Sequence, residues 1–278
     1  MLSRTYRPSP ELAPYIRRFY VFEASLPDDM VIEDFLLAET AFVRCLLKGD
    51  WSAETSPGEW TTAGRVPFFG ANEHPFRVRV KGGFAVTGFA VRPSGWHALF
   101  GEPHHLYADK MLPLQQLWGD LADRMLAQML KATDDAGQLA AMEAAIAERI
   151  ALVQRPVADA EIAQFEVFAR TDSTTRIEDA AARVGLSVRQ LERRCRASFG
   201  LSPKAVLRRS RFLDTAAAMR GFSTPSDQQL HALNYFDQSH MTREFRRFTG
   251  MTPRRFANAQ TPLQTAGLKL REESKFED

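Results

Sequence analysis

Cysteine is scarce in this chain. Cys45 and Cys195 are the only two in 278 residues. They lie far apart, each within an apolar pattern, so free, buried, reduced thiols are expected rather than a disulfide framework. That usage fits a reducing compartment. No run approaches the 18 apolar residues of a membrane-spanning helix, and the N-terminus (MLSRTYRPSPELAPYI) lacks the apolar core of a signal peptide. A cytoplasmic protein with no membrane partner is therefore expected. His74, His97, His104 and His105 invite a metal hypothesis, but there is no HxH, no HExxH and no paired carboxylate at helical spacing. Consecutive His104 and His105 cannot point the same way on a regular element. Neither a metal nor another cofactor is expected. No Ser-His-Asp or activated-cysteine constellation stands out locally.

A strong net charge is also lacking, but the value of +2 hides an asymmetry. Residues 171–262 carry sixteen Lys/Arg against eight Asp/Glu, a net of +8, so the remainder sums to −6. A basic C-terminal module beside an acidic N-terminal one points to a nucleic-acid partner for the former alone. The length suffices for two domains with cores of their own. We place the boundaries at 1–170 and 171–262, with a polar tail over 263–278. The segment Thr171 to Thr175 reads as a polar linker.

The first hundred residues read as short strands. Ile16 to Ala24 is aromatic-rich, Ala41 to Lys48 is largely apolar, and Arg65 to Phe69 is brief. Phe76 to Lys81 alternates strictly, Gly82-Gly83 signals a hairpin turn, and Phe84 to Val91 reads as the returning strand. A small β-barrel or sandwich is expected, able to hold one ligand in its mouth. Trp51, Phe69, Phe89 and Trp96 are candidates for lining an effector pocket; an ordinary aromatic core is the alternative reading. Ser94 is placed as the cap of a short helix carrying Trp96. Helical patterns follow over Pro113 to Ala132, Ala136 to Gln154 and Val157 to Arg170. Their apolar stripes would either cover the β domain or form a homodimer interface.

The stretch 177–258 carries one pattern twice. An apolar helix ends in a short turn, a capping residue opens an arginine-rich helix, and that helix ends in Phe-Gly or Thr-Gly followed by Ser-Pro or Thr-Pro. This is the length and punctuation of a helix-turn-helix, whose second helix can lie in a DNA major groove. In the first copy Ala180, Ala181, Val184, Leu186, Leu191 and Cys195 face inward, Gly185 turns, and Ser187 caps. Arg189, Glu192, Arg193 and Arg196 share the outer face at helical spacing. In the second copy Asp237 caps. Tyr235, Met241, Phe245 and Phe248 face inward, while Gln238, Ser239, His240 and Arg243 face outward.

These residues resemble the DNA-binding domain of the AraC/XylS family of bacterial transcription regulators. The match rests on Leu191-Glu192-Arg193-Arg194, Phe199-Gly200-Leu201-Ser202-Pro203, Asp237-Gln238-Ser239-His240, Arg243-Glu244-Phe245 and Gly250-Met251-Thr252-Pro253. The resemblance implies an all-α domain of two helix-turn-helix units joined by a long helix, here Pro203 to Met219, and so an α+β protein overall. It also implies that the two recognition helices enter successive major grooves. Two departures imply a looser or less sequence-specific second unit: Asn234 stands where Gly is usual, and Leu230 where a small Ala is usual, with Gln229 in an aliphatic place. The segment RPSGWHALFGEPHHLYADKMLPLQQLWG is similar to the N-terminal domain found ahead of this module in a subset of such regulators.

The resulting expectation is a sequence-specific, double-stranded DNA-binding regulator of transcription, not an enzyme. Arg189, Glu192 and Arg193 would meet base edges in one groove, and Gln238, Ser239, His240 and Arg243 in the next. Arg194, Arg208, Arg209, Arg246 and Arg247 would contact phosphates. Control would come from a small-molecule effector or from dimerisation through the N-terminal domain, and an activator would also meet RNA polymerase. Two alternatives are weighed. A DNA-repair alkyl transferase would need a Pro-Cys-His nucleophile and clustered cysteines, which are missing. A sensor without a DNA role is disfavoured by the +8 of the C-terminal module.

Overall fold

The structure, a computed structural model, describes residues 2–37, 40–153, 158–223 and 238–273. Alternating apolar residues between positions 2 and 113 build an eight-stranded antiparallel sheet. Its strands are β1 (Leu2–Tyr6), β2 (Ile16–Ala24), β3 (Val31–Leu36), β4 (Phe42–Ser56), β5 (Glu59–Thr61), β6 (Pro67–Phe69), β7 (Phe76–Val91) and β8 (Met111–Pro113). The order is β1-β2-β7-β4-β6-β8, with β3 also paired to β7 and β5 to β4. Among the described residues the path stays open, ending at β1 and β8, so the expected barrel or sandwich takes the form of a sheet with two covered faces. The strand period of two divides the apolar side chains cleanly. Phe19, Val43, Cys45, Phe89 and Val91 pack on one side with Trp96, Trp118 and the helices that follow. Tyr20, Phe22, Leu46, Val80, Phe84 and Val86 pack on the other.

The expected hairpin at Gly82-Gly83 does not form. Residues 76–91 are one continuous strand, paired along its length with β4. On its other edge the partner changes: β3 ends its ladder at Val31↔Lys81, and β2 takes over at Ala24↔Phe84. Gly82, at φ +68°, bends the strand where that exchange occurs, and its N–H donates to Met30 O at 2.8 Å. A pair of glycines in an alternating run marks a bulge as readily as a turn.

Four helices cover the first face: α1 (Trp96–Phe100), α2 (Gln115–Trp118), α3 (Asp120–Met129) and α4 (Asp135–Val153). Ser94 does not cap α1. It lies in a buried 3-10 turn, Pro93–Gly95, and its hydroxyl donates to Pro14 O at 3.4 Å. The α4 stripe of Met142, Ala145 and Ile146 is buried against the sheet-side core, so it serves as a cover for the sheet.

The helical module comprises α5 (Ala160–Thr171), α6 (Ile177–Arg183), α7 (Val188–Phe199), α8 (Pro203–Met219), α9 (Gln238–Thr249) and α10 (Pro253–Asn258). Ile162, Phe165 and Ala169 of α5 pack with α6, α7 and α8. The residues expected to form a polar linker are held down: the buried Ser173 hydroxyl donates to Asp214 of α8 at 2.8 Å. The tail expected after 262 is instead a helix, α11 (Pro262–Glu273), which returns to the N-terminal half. Leu263, Ala266 and Leu270 pack on the second face of the sheet, and Leu268 packs with Phe212, Phe245 and Phe256. Asp34 of β3 fixes the start of α11 by accepting the Leu263 and Gln264 backbone N–H groups at 2.7 and 3.3 Å. Among the described residues no helix is long and apolar enough to cross a membrane.

Candidate nucleic-acid interface

The first helix-turn-helix is built from local chemistry. Ser187 caps α7, with its Oγ accepting from Gln190 N and the Gln190 side chain returning to Ser187 N, a complete capping box. Ala180, Ala181, Val184, Leu191 and Cys195 are all buried between α6 and α7, and Leu186 packs beside them. This leaves Arg189, Glu192, Arg193 and Arg196 on the exposed face of α7. None of these four side chains has an ion-pair partner among the described residues. Gly200 ends α7 in the left-handed conformation, and Ser202 caps α8 with Pro203 at its first turn.

The second unit repeats this grammar where the structure describes it. Phe245 and Phe248 of α9 are fully buried against Phe212 of α8, with ring centroids 4.9 and 4.8 Å away. Met241 packs at the edge of that cluster. Ser239, Arg243 and Arg246 are exposed, while His240 is half-buried. Gly250 has φ +70°, and Thr252 caps α10 through Arg255 N. Gln229, Leu230, Asn234, Tyr235 and Asp237 lie outside the described residues.

The paired punctuation agrees with family-level comparison. A model of a helix-turn-helix domain (HTH_18) matches residues 180–259. That match supports the AraC-type resemblance of the C-terminal module. A domain of unknown function, DUF6597, matches residues 4–113, so the sheet half has its own sequence signature. No curated protein matches the chain by sequence. Among solved structures, ToxT from Vibrio cholerae is 10% identical, with a TM-score of 0.46 over 86% of this chain and 97% of that one. An unsaturated-fatty-acid-bound ToxT is 11% identical, with a TM-score of 0.44 over 86% and 94%. The AraC-like transcriptional activator CuxR is 15% identical, with a TM-score of 0.25 over 77% and 86%. Likeness at this level bears on neither ligand nor mechanism.

The arginines of this helix-turn-helix module fall into two sets. Four of the five expected at phosphates are engaged within the protein. Arg209 is fully buried and donates to Asn72 O at 3.2 Å. Arg194 lies 3.0 Å from both Asp159 and Glu161. Arg208 and Arg247 both donate to Glu73, at 2.8 and 2.9 Å. The helical period that exposes one face of an arginine-rich helix turns the next arginine toward its neighbour, and a lone sequence cannot show which acid waits there. Arg246 alone of the five is exposed and without an ion pair among the described residues. Arg196, Arg254 and Arg255 are exposed in the same way and fall outside the expected phosphate set. The signal for the last two was present: Thr252-Pro253 opens a helix, and both arginines lie in its first turn.

The inward arginines meet a dense seam between sheet and helices. Buried Arg17 of β2 donates to buried Glu166 of α5, with Arg92 at 3.5 Å from the same carboxylate. His104, expected only as a weak metal candidate, is fully buried as a pin. Its Nδ1 lies 2.9 Å from Ser198 O near the end of α7, and its Nε2 accepts from Ala71 N at 3.2 Å. Those partners fix the tautomer with the proton on Nδ1. The ring stacks on Trp96 at 3.8 Å. Burial, reinforced by nearby Arg209, pushes the imidazole pKa down to about 3, so it is neutral.

The four aromatics expected to line an effector pocket do not converge. Phe89 and Trp96 are core residues of the first face, stacked among Trp118, Phe100 and His104. Trp51 and Phe69 lie on the second face and line one small cavity of about 10 Å³ together with Arg44. A larger cavity, about 110 Å³, opens between that face, α8 and α11. Sequence reasoning misses it, because residues 263–278 read as a polar tail. Cys45 is wholly buried in the first-face core, and burial pushes its thiol up to about 12, the opposite of an activated nucleophile.

Proposed function

We propose that this AraC-type chain is a sequence-specific regulator of transcription that reads two successive major grooves of duplex DNA, and that a ligand held by its sheet half controls that reading. The observation that carries the proposal is the sorting of the arginines. Those facing the sheet are paired or buried, whereas Arg189, Arg193, Arg243 and Arg246 stand exposed on α7 and α9 without a carboxylate partner among the described residues. Such a face suits an anionic partner that brings its own counter-charges. Arg189, Glu192 and Arg193 are assigned to base edges, as are Gln238, Ser239, His240 and Arg243 on α9. Phosphate contacts fall to Arg246, Arg196, Arg254 and Arg255. No enzymatic role is assigned: Cys45 is too buried and too weakly acidic for alkyl transfer.

The reading places the chain in the cytoplasm, with duplex DNA as its partner; a second copy and RNA polymerase are further partners of a regulator of this kind. The test is selection of random duplex DNA by the full-length protein at physiological salt. Enrichment of two short blocks about one helical turn apart, ~10 base pairs, is the expected outcome. A bound pool with no enriched sequence, with and without candidate ligands, overturns it.

A further inference from the structure

Four arginines line the 110 Å³ cavity between the sheet, α8 and α11: Arg17, Arg18, Arg44 and Arg271. Three are answered by the protein. Arg17 donates to Glu166, Arg18 donates to Leu270 O at 2.9 Å, and Arg271 lies 2.8 Å from Asp214 and 2.7 Å from Glu272. Arg44 is different. It sits in the middle of β4, is only 5% exposed, and has no acidic partner among the described residues. Its Nε and Nη1 are buried without a hydrogen-bond acceptor.

Aromatic rings surround it instead. The guanidinium carbon lies 4.9 Å from the Trp51 ring, 5.3 Å from Phe42, and 5.8 Å from both Tyr20 and Phe22. Ring faces attract a cation, but they do not replace the hydrogen bonds its N–H groups lose on burial. An uncompensated buried charge is among the costliest features a fold can keep. The Trp51 indole N–H, also buried, lacks an acceptor too. This spot is therefore rich in donors and poor in acceptors, beside a cavity whose remaining wall includes Leu36, Leu213 and Leu268.

We propose that this cavity binds a small organic monocarboxylate, with its carboxylate on the Arg44 fork and its apolar body against α8 and α11. One unanswered cation calls for one negative charge, since the other three arginines are already engaged. The planar guanidinium matches a carboxylate in two parallel hydrogen bonds. The volume is below the ~150 Å³ of a cavity that accepts benzene, which limits the body to a few carbons. Such a ligand would touch β4, the linker helix α8 and the returning helix α11 at once. It would thereby join the sheet half to the two helix-turn-helix units. This deepens the ligand-control part of the function proposed above. Binding is measured without DNA, so either claim can fail alone.

The test is thermal unfolding of the full-length protein in sodium acetate, butyrate and hexanoate, against sodium chloride at equal ionic strength and against neutral butyramide. Butyrate is expected to raise Tm saturably by several degrees, with chloride and butyramide giving no shift. Arg44→Met, similar in volume and uncharged, is expected to fold with an unchanged or raised Tm and to lose the butyrate response. Gly267→Leu provides a second variant in case Arg44→Met fails to fold. Gly267 lines the cavity on α11, and a Cβ built there meets nothing within 4 Å, so the leucine has room to occupy the ligand's place. It is expected to weaken the butyrate response at least tenfold in concentration. Equal Tm values for the wild type in all five solutes overturn the site, as does a full butyrate response in a folded variant of either kind.

Discussion

Arg247 of α9 donates to the Glu73 carboxylate at 2.9 Å, across 174 residues of sequence. The other carboxylate oxygen takes Arg208 of α8 at 2.8 Å. One acid on the loop between β6 and β7 thus holds cations from the linker helix and from the second recognition helix. All three side chains are partly exposed, so the pairs add little stability, and their consequence is electrostatic. Glu73→Gln is expected to free Arg247 for phosphate and to loosen Arg208, which keeps Glu244 at 3.5 Å. Each added phosphate contact steepens the salt dependence of duplex binding by roughly 0.9 in log K against log salt. The slope should therefore steepen by about 1 to 2, with tighter binding to random duplex at low salt. An identical slope would mean that neither arginine reaches DNA when released.

The exposed faces of α7 and α9 make a different prediction. Arg193→Ala is expected to cost about 1–3 kcal/mol on the selected site and little on random duplex. Arg246→Ala should weaken all duplexes alike and flatten the salt slope by roughly 0.9. Fluorescence anisotropy on both kinds of duplex at several salt concentrations separates the two. Equal losses for Arg193→Ala on both would remove it from the base readers.

The helix-turn-helix units were legible because their information is local. Ser187 and Gln190 sit three residues apart, and Gly-x-[Ser/Thr]-Pro marks each helix end within four residues. The sheet half was legible in β2, β4, β6 and β7 and less so in its other strands and its connections. At Gly82-Gly83 the local signal fits a turn, and only the exchange of β3 for β2 along the edge makes it a bend within a strand. Non-local partners decided the rest. Arg209 looks like any exposed helix arginine until Asn72 is placed beside it, and α11 looks like a polar tail until the sheet supplies a surface for Leu263, Ala266 and Leu270. The Arg44 site combines both difficulties, because its cage comes from two strands, β2 and β4, and its lid from residues more than 200 positions away.

Asp34 shows how that lid is held. Its carboxylate accepts the first free N–H groups of α11 and is buried, which raises its pKa despite those hydrogen bonds. Asp34→Ala removes the cap from a helix whose apolar face still fits the sheet. A loss of about 0.5–2 kcal/mol is expected, the usual range for a lost helix cap. Limited proteolysis should then cut near Lys269 or Arg271 faster than elsewhere. Unchanged cleavage there would show that packing alone secures α11.

His104 predicts a pH dependence of stability with a definite sign. The folded protein holds the imidazole neutral down to about pH 3, whereas an unfolded chain protonates it near 6.5. Between those values the unfolded state binds the extra proton. The stabilisation is therefore complete above about pH 6.5 and is lost progressively as pH falls toward 3, at up to ~1.4 kcal/mol per pH unit. Urea unfolding at pH 7, 6 and 5 reads this slope before most carboxylates titrate. His104→Asn gives up the stacking on Trp96 and starts less stable at pH 7, but its stability should fall less steeply from pH 7 to pH 5 than that of the wild type. Parallel slopes would mean that protonation of His104 is tolerated in the fold, in which case the hydrogen bond from Ala71 N to Nε2 does not select the neutral ring.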